Sequence, residues 1–114
     1  MTKKDHENAM TICARRTLES SYGPVAVWIT VPREETETGD FLCDYGIAGP
    51  RTQRRGSVMG IDAFQALQLT MERIGTELLF SEEGQTGGLR WLDTAYEIGF
   101  PVPASIEDLA SPKK

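Results

Sequence analysis

The stretch from Gly60 to Leu79, GIDAFQALQLTMERIGTELL, repeats its apolar residues at the spacing of one helical face, and no other feature of the chain constrains the fold as much. Phe64, Leu67, Met71, Ile74 and Leu78 step by three and four, so at about 100° per residue they predict one narrow stripe on a helix over about residues 62–79. Asp62 is placed to cap its start, and Gln65, three residues on, to reach back toward the Asp62 backbone. Gly75 falls on the stripe. Glycine inside a helix costs about 1 kcal/mol relative to alanine, so it implies close approach to a strand or a bulky side chain. An apolar stripe needs a surface to cover, and the preceding segments supply one.

Thr11 to Ser20 predicts a first strand, with Ile12, Ala14 and Leu18 on one face and Arg15, Thr17 and Glu19 on the other; Arg16 interrupts the apolar side. Ser21-Tyr22-Gly23-Pro24 supplies hairpin chemistry. Val25, Val27, Ile29 and Val31 then alternate with Ala26, Trp28 and Thr30, the clearest strand in the chain, and Pro32 ends it. Beyond the acidic loop 33–40, Phe41, Cys43, Tyr45 and Ile47 define one face of a third strand, and Gly46 on the other face marks a candidate bulge. Gln53 to Gly60 is a weaker polar strand. After the helix, 81–88 reads as a flexible acidic, glycine-rich loop, 89–92 as a fifth edge strand or a packing lid, and 98–103 as extended by its prolines. Short connections favour antiparallel pairing over crossovers. The expected fold class is therefore α+β, an antiparallel meander of about four to five strands with one amphipathic helix packed on one face. It forms a single domain over residues 11–103, with a disordered lead-in at 1–10 and a frayed tail at 104–114.

A chain of 114 residues with 39% apolar and 25% charged content suits one globular domain with its own core. No apolar run is long enough to cross a bilayer and residues 1–10 lack the apolar centre of a secretory signal, so no membrane role and a cytoplasmic location are expected. The net charge of −5 argues against nucleic acid as a partner. Cys13 and Cys43 have no close Cys or His companions and read as small buried apolar residues. The single histidine, His6, lies in the lead-in, away from any Ser or Cys nucleophile within the fold. The dense carboxylates Glu34, Glu35, Glu37 and Asp40 do not match a calcium loop, and no glycine run matches a phosphate-binding fingerprint. Neither enzymatic activity nor a cofactor is expected. Trp28, Tyr45 and Trp91 read as core or core-edge aromatics.

At Gly60-Ile61-Asp62-Ala63-Phe64-Gln65-Ala66-Leu67, Ile74-Gly75, Trp91-Leu92 and Gly99-Phe100-Pro101-Val102-Pro103, and in the opening Ala14-Arg15-Arg16-Thr17-Leu18-Glu19, the chain resembles a group of small uncharacterised bacterial proteins, a domain of unknown function. The resemblance implies a bacterial origin and a sheet-plus-helix domain, and carries no activity with it. The reading that fits best is a non-enzymatic protein-binding module, in the manner of small immunity or antitoxin-like inhibitors, steered to a basic partner by its acidic loops. Glu34, Glu35, Glu37, Asp40 and an exposed Leu69 are the candidate partner-binding residues. One alternative is self-association, as a homodimer, through a sheet edge or Leu69. The other is a small-anion binder or enzyme between helix and sheet, in which Arg16, Arg54 or Arg55 holds the anion with Tyr45 or Asp44 nearby.

Overall fold

The computed structural model describes residues 11–92 and 98–103; the predicted lead-in and tail lie outside them. Strands β1 (Ile12–Leu18), β2 (Val25–Thr30), β3 (Arg33–Glu34), β4 (Phe41–Ala48) and β5 (Gln53–Gly60) form one open antiparallel sheet, followed by a long helix α1 (Ala63–Phe80) and a short one, α2 (Glu82–Thr86). The fold is α+β.

β4 is the centre of the sheet. β5 pairs along its whole length, from Phe41↔Gly60 to Ala48↔Gln53, so β2 and β3 share its other edge. They amount to one interrupted strand. Between Ile29↔Tyr45 and Arg33↔Leu42, four steps on one side oppose three on the other, a bulge set by Pro32, which has no N–H to give. At this bulge the buried Thr30 hydroxyl accepts from the Asp44 N–H at 2.8 Å and stands in for the missing rung. Gly46 itself marks no bulge, since the β4–β5 register is continuous through it.

Asp62 caps α1 as predicted, accepting from the Gln65 N–H at 2.8 Å, but Gln65 reaches back to the N–H of Ile61, one residue earlier than expected. The buried line of α1 is Ala66, Thr70, Ile74 and Leu78, with Gly75 beside it. Ile74 and Leu78 belong to the predicted stripe, whereas Phe64 is 85% exposed and Met71 37%. The reason is close seating. A Cβ at Gly60 would overlap the Ala66 backbone, so glycine on β5 and alanine on α1 bring the two into contact and turn Phe64 outward. Thr70 enters the core at no polar cost because its hydroxyl donates to the Ala66 carbonyl at 2.6 Å.

The core joins Leu18, Val25, Val27, Ile29, Cys43, Tyr45 and Ile47 of the sheet to Ala66, Ile74 and Leu78 of α1. Of the two free cysteines only Cys43 is buried; its thiol, pushed up by burial, donates to the Thr30 carbonyl at 3.2 Å, while Cys13 is exposed. Within 81–88, the stretch Glu82–Thr86 is helical and not a loop. Ser81 caps it by accepting from the Gly84 N–H at 3.0 Å, and Glu83 is fully buried. Residues 89–92 make a single bridge just past the end of β1, at Glu19↔Arg90, with Leu89 buried and Trp91 packed on the core, so they serve as a lid and not as a strand. The close approach that Gly75 implies is to segment 98–103, where a Cβ would stand 2.5 Å from the Pro101 carbonyl oxygen.

Candidate functional site

The acidic hairpin and the start of α1 share one end of the sheet. Glu34, Phe41 and Gly60 lie in one register row, with Ile61 and Asp62 following directly from Gly60. The hairpin is closed by bonds from the Glu35 N–H to the Asp40 carbonyl and from the Gly39 N–H to the Glu35 carbonyl, both 2.7 Å. The carboxylates of Glu34, Glu35, Glu37 and Asp40 enter no ion pair or hydrogen bond among the described residues. At the same end of the sheet stand the two most exposed large apolar side chains described, Ile61 at 73% and Phe64 at 85%. Leu69 is exposed as predicted, but it lies about 10 Å of helix rise beyond the start of α1 and does not join this end.

The three candidate anion-binding arginines go to three different places. Arg16 stacks over Trp91 at 4.0 Å and Phe100 at 5.0 Å and donates to the Gly99 carbonyl, which fastens segment 98–100 to β1. Arg54 lines a cleft of about 330 Å³ with Thr52, Thr76, Glu77 and Glu82. Arg55, its neighbour on β5, turns to the opposite face and lies 5.7 Å from the Trp28 ring. Tyr45 donates to Glu77 Oε2 at 2.8 Å under the helix, and burial together with that bond pushes its hydroxyl up. Asp44 points the other way, paired with Arg33 at 2.5 Å and accepting from Ser57. No shared anion pocket is formed by this set.

A buried carboxylate ties the far end together. Glu83 Oε2 accepts from the N–H groups of Arg51 at 2.7 Å and Thr52 at 3.1 Å. Burial alone would raise its pKa, but these bonds and others from Thr52 and its own backbone outweigh that and hold it below the usual carboxylate range. Arg51 adds an exposed ion pair to Glu82 at 2.7 Å.

The face of the sheet turned away from α1 carries a row invisible without register: Arg15↔Trp28, Trp28↔Gly46 and Gly46↔Arg55. Trp28 is therefore no core aromatic. It lies half-exposed across Gly46, where any Cβ would overlap its ring. A glycine directly opposite a tryptophan was the available signal, but it emerges only once the strands are aligned.

Among the described residues no group of three or more His, Cys, Asp or Glu could hold a metal ion, and no helix is long and apolar enough to cross a membrane. The family model of a domain of unknown function, DUF6968, matches residues 14–102, and the chain belongs to that family. The match spans all but the first residues of the sheet, both helices and most of the closing segment. No curated protein and no solved structure matches the chain.

Proposed function

We propose that this domain is a non-enzymatic protein-binding module, acting as immunity or antitoxin-like inhibitors do, and that its contact surface is the acidic end of the sheet. The observation that carries this reading is Phe64, an aromatic at 85% exposure at the same end of the sheet as a hairpin of unpaired carboxylates. Aromatic side chains ringed by polar groups are where binding energy concentrates, and rim charges set the encounter rate. The partner it fits has a basic rim around an apolar recess. Phe64 supplies the anchor, and Glu34, Glu35, Glu37 and Asp40 supply the steering.

The test is capture of a protein from the native host on immobilised domain, followed by association kinetics with the purified captive. Reversing Glu35 and Glu37 to lysine lowers the association rate about tenfold at low salt, an effect that fades near 0.5 M where screening acts within about 4 Å. Phe64→Ser raises the dissociation rate instead. Capture and kinetics indifferent to both changes would remove the reading.

A further inference from the structure

No described element lies over the sheet face opposite α1, and its charge runs against that of the chain. In its middle, Arg15 and Arg55 flank Trp28 in one row. Both arginines are exposed, and neither enters an ion pair or hydrogen bond among the described residues. Leu42 and Met59, the latter 49% exposed, pair on the same face toward the acidic end. Arg33 and Asp44 neutralise each other. Glu19 follows the end of β1, four residues beyond Arg15, where its backbone bridges Arg90. A chain of net charge −5 thus carries a cationic, aromatic patch on one flat face and a cluster of free carboxylates with two bare apolar side chains at one end.

We infer that this face receives the acidic end of a second copy of the chain. Glu35 and Glu37 of one molecule meet Arg15 and Arg55 of the next, while Ile61 and Phe64 settle against Trp28 and Met59. Each half supplies what the other lacks, opposite charge around an apolar centre, and both halves are on the same polypeptide. The two surfaces differ, so the contact is heterologous. Each added copy brings a fresh face and a fresh end, and association propagates instead of closing as a two-fold dimer. Single-stranded nucleic acid is the other natural occupant of a cationic aromatic surface. It is disfavoured because Trp28 offers one stacking position and not a series, and because the hairpin carboxylates would repel phosphates. The inference uses the acidic end assigned above but stands separately: partner capture probes that end alone, whereas self-association needs both surfaces.

Sedimentation velocity over a wide concentration range decides it, using the wild type, Arg15→Gln/Arg55→Gln and Glu35→Gln/Glu37→Gln, in which Glu35 is half-buried and the other three positions are exposed, each variant checked for folding by circular dichroism. The wild type at about 50 mM salt gains mass steadily with concentration, and its association constant falls about tenfold or more by 0.5 M. Each double variant alone stays monomeric. An equimolar mixture of the two, in which one supplies the native end and the other the native face, forms a 1:1 complex and stops there. A wild type that stays monomeric, one that plateaus at the dimer mass, or a mixture that fails to pair would overturn the inference. So would tight binding of a labelled twelve-nucleotide single-stranded RNA that Arg15→Gln/Arg55→Gln abolishes.

Discussion

The two faces of the sheet use glycine for opposite ends. On the covered face the missing Cβ of Gly60 admits the backbone of α1 at Ala66, so a helix is locked in place. On the open face the missing Cβ of Gly46 admits only the ring of Trp28, which has solvent above it. Backbone can give way only by moving a whole element, whereas a side chain on an open surface can swing aside. The comparison separates a face built for rigidity from one left adjustable, and it orders the consequences of substitution.

Gly60→Ala should have the largest effect, about 2 kcal/mol of lost stability in urea denaturation, because the added methyl forces α1 off the sheet. A loss under 0.5 kcal/mol would show that α1 is not seated as described. Glu83→Gln should cost about 1.5 kcal/mol at neutral pH by weakening two charge-assisted bonds to a buried carboxylate. Its folded pKa is lowered, so its contribution is complete above the unfolded carboxyl value of about 4.3 and is lost as pH falls through the folded one. The gap between variant and wild type should therefore hold from pH 8 to 5 and narrow as pH falls below the unfolded carboxyl value toward the lowered folded one; a gap that widens in acid would reverse the sign assigned here. Gly46→Ala should cost about 1 kcal/mol or less and move Trp28 fluorescence toward that of a fully solvated indole. If it matches Gly60→Ala, the open face is as tightly packed as the covered one. Phe64→Ser should change stability by less than about 0.5 kcal/mol, since an 85% exposed side chain has little packing to lose. A core-sized loss would return Phe64 to the buried stripe.

Strong periodicity and punctuation made most of the architecture legible. The helix, its aspartate cap, the β2 alternation and the short turns all point one way, and the structure follows them. The rotation of α1 was not legible, because Ala66 and Thr70 are weak apolar signals, while Phe64 and Met71 are strong ones whose burial depended on how closely the helix sits. The short helix 82–86 hid behind its composition: glutamates and glycines read as a solvated loop, and a buried Glu83 makes sense only with the Arg51 and Thr52 amides in view. At the acidic end the carboxylates were plain from density alone. Their apolar companions Ile61 and Phe64, and the Arg15–Trp28–Arg55 row, required strand register, which a one-residue slip would have sent to the other face.

β4 has bonded neighbours along both edges, holds the Tyr45 tie to Glu77 on its helix side and seats Trp28 through Gly46 on the other. Its eight residues are thus a common beam beneath both surfaces. Its amides should be the slowest in the domain to take up deuterium, and anything pressed onto the open face would be felt, through that beam, at the root of the helix.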